Sequence, residues 1–325
     1  MARAAWQVQT NPTRGRATGG GTARTLASPV SWGGVRFAPT PGAAARAALL
    51  SSLMTFSIVA RSGEAFGVAV ASKFLAVGAV VPAADAGAGA VATQAAANPR
   101  YLPQGLALLR TGVQPADVVA GLVATDRDCA HRQLGIVGSQ GLGATYTGEE
   151  CLDWAGGTAG DGYAIQGNIL TGPEVIEAME SAWLSLPDIA LDRRLLAALE
   201  AGDAAGGDRR GRQSAALYAV APGAGYGGGS DVACDLRVDD HADPVAELRR
   251  LLDVHELLFG KPDPDALLEL SGDLKEEVEN LVTARGHASL EVWAGVENLE
   301  NRLVPGKIDP VVLACLRNGH AHDEA

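Results

Sequence analysis

At Thr55 the chain passes from a stretch with little to fold around into one that reads as strands and helices. Residues 1–53 hold six Arg and no Asp, Glu or Lys, with runs such as Gly19-Gly20-Gly21 and Ala43-Ala44-Ala45. They are expected to be a disordered leader, or an upstream region read in frame from a wrong start codon. From there Thr55-Phe56-Ser57-Ile58-Val59-Ala60 reads as a strand, residues 61–65 as a turn, and Phe66-Gly67-Val68-Ala69-Val70-Ala71-Ser72 as the return strand. If Thr55 is the first residue of the mature chain, one residue carries both a hydroxyl and a free α-amine. That is a nucleophile with a built-in base.

Strand-like and helix-like segments then mix. Residues 77–81 and 87–94 read as strands. Residues 106–110 and 115–123 read as helices, the second opened by Pro115. Residues 133–138 and 142–147 form a hairpin around Gly141, and 163–170 is a further strand. Apolar residues at helical spacing mark helices at 173–184 and 191–201. Strands at 213–220 and 232–238 precede a helix that Asp243-Pro244 opens and that runs to Leu258. Hairpins without strict βαβ alternation predict an α+β fold of mainly antiparallel sheets, two of them sandwiched between helix layers. After a linker at 260–265, about 60 residues look helical throughout. The division expected is therefore 1–53, then a main domain at 54–258, then a small all-α domain at 259–325.

Certain strings carry a family likeness. They are Thr55 to Arg61, Gly67 to Phe74, Ala92-Thr93-Gln94, Asn98-Pro99-Arg100-Tyr101, Cys151 to Gly156, Gly160 to Asn168, Gly206 to Ser214 and Asp235 to His241. Over about residues 54–258 the chain resembles the bacterial and archaeal domain-of-unknown-function family 1028. The resemblance implies an N-terminal-nucleophile (Ntn) hydrolase-like fold, a four-layer α-β-β-α sandwich, and a start at the position of Met54. Residues 261–319, notably Val292 to Arg302 and Ile308-Asp309-Pro310, resemble a helical module described in some members as peptidoglycan-binding. The better-known threonine-type Ntn enzymes carry a lysine on a later strand. Here residues 77–94 contain no Lys or Arg, so Lys73 either takes that place or pairs with an acid such as Asp85.

The candidate catalytic residues are thus Thr55, Lys73 and Ser72. An α-amine of pKa about 7.7–8.0 accepts the Thr55 hydroxyl proton near neutral pH. Ser72 as nucleophile with Lys73 as base is the weaker alternative, because adjacent strand residues point to opposite faces. Thr93, Gln94 and Asn98 follow a Gly-rich strand and are candidates for an oxyanion contact. Gln166 and Asn168, two apart on a strand, share one face and are candidates for substrate contact. Arg209, Arg210 and Arg212 form a basic cluster suited to a substrate carboxylate, or equally to a structural ion-pair loop. The expected function is hydrolysis of an amide C–N bond in a small molecule or peptide. The alternative is a non-catalytic binding protein of the same fold that recognises peptidoglycan fragments through its tail, although packing or dimerisation is the plainer role for that tail.

Other functions are disfavoured. The net charge of −12, with six Arg and no acid before residue 54, leaves about −18 on the rest. Such a body does not suit nucleic acid or an anionic membrane surface. No apolar run approaches the roughly 18–20 residues that span a bilayer. Cys129, Cys151, Cys234 and Cys315 show no metal-ligand spacing and read as reduced thiols of a cytoplasmic protein. Asp239-Asp240-His241 with Asp243 fits no standard ligand set, and Gly87-x-Gly89-x-x-Ala92 lacks the helix and acid of a dinucleotide site. No metal and no cofactor is expected, and a homodimer is the expected assembly.

Overall fold

Thr55–Ser62 (β1) is rich in the β-branched and aromatic residues that suit a pleated surface. In the computed structural model, which describes residues 55–319, it lies inside a six-stranded sheet. Its hairpin partner is Ala65–Ser72 (β2), with Phe56 opposite Ala71. Both strands are almost wholly buried on both faces. That is why their sequences read as near-continuous apolar runs rather than as alternation. The expectation for residues 1–53, like Met54 and residues 320–325, lies outside the described residues.

The remaining elements in chain order are Pro82–Asp85 (β3), Gly89–Ala95 (β4), Tyr101–Arg110 (α1), Pro115–Thr125 (α2), Arg132–Gly138 (β5) and Ala144–Thr147 (β6). Gly156–Gly160 (β7), Tyr163–Asn168 (β8), Glu174–Ser185 (α3), Leu191–Ala204 (α4), Ser214–Val220 (β9), Val232–Val238 (β10) and Pro244–Phe259 (α5) follow. One sheet has the order β10-β9-β2-β1-β8-β7 and the other β3-β4-β5-β6, with every pairing antiparallel.

Three apolar clusters account for the packing of this α+β body. Val59, Val68, Val70, Ala92, Val137 and Ala164 meet between the two sheets. Phe56, Ile58 and Ile165, from the opposite face of the larger sheet, pack on Met179, Trp183, Leu195 and Leu248 of α3, α4 and α5. Val91, Leu134 and Ile136 of the smaller sheet pack on Leu109, Val118 and Leu122 of α1 and α2.

Several local expectations change. Residues 77–81 do not form a strand. Val77–Ala79 makes a single 3₁₀ turn where the chain crosses between sheets, entered through Ala76 in the left-handed region (φ 53°). Val77 N–H is taken by Ser214 Oγ at 3.1 Å. Helix α1 starts at Tyr101, five residues early, because Pro103 falls in its first turn, where an amide hydrogen has no helical partner anyway. The glycine-rich β7 offered no propensity signal. It forms because Gly157 lets β8 approach; a Cβ there would sit 2.6 Å from the Ile165 carbonyl oxygen.

The tail is not helical throughout. Leu268–Glu269 (β11) pairs with Lys307–Ile308 (β12) in a short antiparallel ladder between Gly272–Ala284 (α6), Leu290–Val296 (α7) and Pro310–Asn318 (α8). Its core of Val278, Val282, Trp293, Leu299, Val312 and Leu316 is a cluster of its own, touched by Leu257 and Leu258 from the end of α5. No helix among the described residues is long and apolar enough to cross a membrane.

Candidate functional site

Strand alternation sends Thr55, Ser57 and Val59 toward the smaller sheet and Phe56 and Ile58 toward the helices. Thr55 opens β1 opposite Asn168, the last residue of β8. It is buried, and its Oγ1 donates to Ser72 Oγ at the far end of β2, 3.2 Å away. Its carbonyl oxygen accepts from Gln94 Nε2 at 3.1 Å and from Asn168 Nδ2 at 3.4 Å.

Behind Thr55 lies a buried polar layer between the sheets. Ser57 Oγ donates to Gln94 Oε1 at 2.6 Å and accepts from Gln166 Nε2, also at 2.6 Å. Gln133 Oε1 accepts from Gln94 Nε2 at 2.8 Å and from Asn168 Nδ2 at 3.0 Å. Gln133 Nε2 donates onward to the Gly167 carbonyl at 2.7 Å and to Thr147 Oγ1 at 2.8 Å. Gln166 Oε1 is buried without a hydrogen-bond partner among the described residues, facing Gly135. A Cβ on Gly135 would fall 2.0 Å from that oxygen, so the glycine makes the space for the amide.

Ser57 and Gln133 were not singled out in the sequence. The signal available for Gln133 was an amide within an apolar strand, separated by one residue from a glycine on the same face.

Gln94 and Asn168 thus reach Thr55, and Gln166 reaches Ser57 in the layer behind it, but Thr93 and Asn98 lie outside this layer. Thr93 alternates with Gln94 and turns to the opposite face of β4, where its Oγ1 accepts from the Asn98 backbone N–H at 3.1 Å. Asn98 Nδ2, Tyr101 Oη and Arg132 Nε all donate to Asp126 Oδ2, at 2.8, 2.9 and 3.0 Å. Thr93 and Asn98, expected as candidates for an oxyanion contact, thus lie beneath α1, away from the layer around Ser57. Burial pushes the Asp126 carboxyl pKa upward. The bonds from Arg132, the Asp128 N–H, Asn98 and Tyr101 outweigh it and hold the group well below the usual carboxylate range. Burial, then the bond to Asp126, raises the Tyr101 phenol.

Lys73 binds on the other side of Ser72. Its backbone N–H donates to Asp208 Oδ2 at 2.7 Å and its Nζ to the Arg212 carbonyl at 3.1 Å. It does not pair with Asp85, which is held by Arg110 at 2.6 Å. Arg210 closes on Asp208 through its backbone N–H at 2.9 Å and Nη2 at 3.2 Å, while Arg212 Nε donates to Asp203 at 2.8 Å. Arg209 is exposed, and its backbone N–H donates to the Ile169 carbonyl at 3.2 Å. A small cleft opens beside Ser72, between Phe56, Ala71, Asp203, Asp208, Gly211 and Arg212.

The acidic segment after β10 is a connector. His241 Nδ1 accepts from the Asp243 N–H at 3.1 Å, and Asp240 accepts from Gln213 Nε2 at 3.1 Å. Asp243 occupies the N-cap position of α5, but its side chain makes no capping bond.

Residues 55–248 match the family described as "Family of unknown function (DUF1028)". The chain is also similar to a crystal structure from Silicibacter pomeroyi whose description carries the same family label. Sequence identity is 31% and TM-score 0.56, over 69% of this chain and 93% of that one. Comparison with curated proteins returns no match.

Proposed function

Because the chain belongs to the DUF1028 family, whose description leaves function open, we propose from its geometry that it is an Ntn-type hydrolase cleaving an amide C–N bond. The substrate is a small molecule or peptide. The observation that carries this reading is Thr55 itself. It stands at the head of a central strand, its Oγ1 in contact with Ser72 and its carbonyl oxygen held by two side-chain amides. The packing supports the fold assignment. Two antiparallel sheets meet over an apolar layer and each carries helices on its outer face, which suits a four-layer α-β-β-α sandwich.

In this reading the peptide bond before Thr55 is cut, by aminopeptidase removal of Met54 or by attack of Thr55 on its own preceding bond. The freed α-amine takes the Oγ1 proton, directly or through one water. Oγ1 adds to the substrate carbonyl carbon, the C–N bond breaks, and the leaving amine receives the proton. Water, deprotonated by the same α-amine, then hydrolyses the acyl-threonine ester and restores the hydroxyl. Ser72 orients Oγ1. Gln94 and Asn168 act through the Thr55 carbonyl and are positioning residues. The Ser72-nucleophile alternative is weakened because Lys73 Nζ is bonded to the Arg212 carbonyl.

The test is intact mass and N-terminal sequencing of untagged protein from its own host, followed by an amide-substrate screen with Thr55→Ala as control. A chain beginning at Thr55, and turnover abolished in a folded T55A variant, are expected. A chain that retains residue 54, or turnover unchanged in T55A, overturns the mechanism.

A further inference from the structure

The larger sheet ends on β10, which pairs with β9 and has no strand on its other side among the described residues. Every second residue of such an edge strand points its N–H and C=O away from the sheet, where another chain can pair with them. Natural edges are limited by bulges, cover and charge. Here a bulge lies between Val232 and Cys234, and the far end is closed where the Ala76 N–H takes the Asp239 carbonyl at 3.0 Å. The regular stretch between them is 234–238, centred on Leu236. Its side chains alternate. Cys234 and Val238 are buried against the helices, with Leu236 half-buried beside them. Asp235 and Arg237 point to the opposite face, with side chains 38% and 42% exposed, and join in a two-bonded ion pair at 2.8 and 3.1 Å. The Arg237 stem lies over Gly78, where a Cβ would fall 3.2 Å from its Cγ.

These charges discriminate between registers. A strand that pairs antiparallel with its own copy about a twofold axis brings residues of equal parity together, so outward-pointing groups meet outward-pointing groups. Centred on Asp235, the pairing sets Asp against Asp. Centred on Arg237, it sets Arg against Arg. Like charges directly opposite are destabilising. Centred on Leu236, it sets Asp235 opposite the partner's Arg237 and Arg237 opposite the partner's Asp235, with the two leucines meeting on the apolar face. Directly opposite Cβ atoms lie about 4.5–5.5 Å apart, within reach of ion pairs.

We propose that β10 is a self-association surface: two copies pair their β10 strands antiparallel about Leu236 and join their larger sheets into one. Charge complementarity selects a second copy as the occupant, because Asp-x-Arg read antiparallel is its own complement. So short a ladder is a small interface, and the association is weak and concentration-dependent. It is independent of any chemistry at Thr55.

The experiment is sedimentation velocity of the full chain at rising concentration, with Asp235→Arg, Arg237→Asp and the double variant D235R/R237D. Expected is a monomer–dimer equilibrium in the wild type. Each single variant sets like charges opposite one another and should weaken it by about tenfold or more. The double variant keeps the wild-type net charge and should recover it. The decisive arm is an equimolar mixture of D235R and R237D. Neither carries the intrachain ion pair, yet across the axis Arg faces Asp at both positions, so the mixture should associate where neither component does alone. A wild type that stays monomeric, single variants that dimerise as the wild type does, or a mixture no tighter than its components overturns the proposal.

Discussion

Gln133, which the sequence did not single out, links the two amides that hold the Thr55 carbonyl. One carbonyl oxygen serves Gln94 and Asn168, the two amides that hold the Thr55 carbonyl, and its amide nitrogen reaches the Gly167 carbonyl. Polar groups taken out of water are costly unless paired, at about 1–3 kcal/mol for each one left unsatisfied. Gln133→Leu keeps the volume and removes both functions. It is expected to lower stability by at least about 2 kcal/mol, because two donors lose an acceptor at once. Urea unfolding followed by circular dichroism reads this directly, and a wild-type midpoint in Q133L would make Gln133 a bystander. The same residue-level logic explains why Thr93 left the site. One step along a strand reverses the face, so Gln94 enters the layer that Thr93 cannot reach.

At the scale of elements, the clearest coupling is between α5 and the tail. The last carbonyls of a helix lack partners within it. Here the Leu257 carbonyl receives Arg302 Nε, and the Glu256 carbonyl, which also accepts from the Gly260 N–H at 2.9 Å, receives Nη2, both Arg302 bonds at 2.6 Å, while Arg302 Nη1 pairs with buried Asp309 at 2.7 Å. Asp309 also caps α8 by accepting from the Val311 N–H at 2.9 Å. Gly260 permits the contact; a Cβ there would fall 2.6 Å from Arg302 Nη2. This arrangement favours packing as the role of the tail. Arg302→Met should leave Asp309 as an unpaired buried charge, a defect of about 3–5 kcal/mol. Limited proteolysis is expected to cut the linker at 260–265 and the tail faster in R302M, with the main body resistant. Unchanged cleavage would mean that the tail is held mainly by its apolar contacts.

For the molecule as a whole, Asp126 links folding to pH. Its carboxyl is held below its unfolded value of about 3.9 by four hydrogen-bond donors, against the opposing effect of burial. The folded state therefore binds fewer protons than the unfolded chain as the pH falls through this region. The stabilisation is complete above the unfolded pKa and is lost progressively as pH drops toward the folded one. Urea midpoints measured at pH 6 and pH 3 should show a decline, and Asp126→Asn should flatten the part that this group supplies. An equal decline in D126N would assign the acid sensitivity to other carboxylates.

The sequence by itself determined the strand-rich body after Thr55, most element positions, the antiparallel pairing and the family. These are written in local periodicity, turn residues and ordered motifs, which need no knowledge of distant neighbours. It also singled out Thr55, Ser72, Gln94, Gln166 and Asn168, which the fold brings together. Only the tertiary structure decided that Thr93 accepts from the Asn98 backbone while the Asn98 side chain donates to Asp126, that Lys73 turns to the loop before β9, and that Ser57, Gln133 and Gly135 complete the buried layer. Those outcomes depend on which strand faces which across the two sheets. A hydrogen bond between residues 35 or more positions apart, such as Gln133 to Asn168, leaves no trace in the spacing of either residue's own segment. It exists because two buried faces, each with an amide to satisfy, were pressed together.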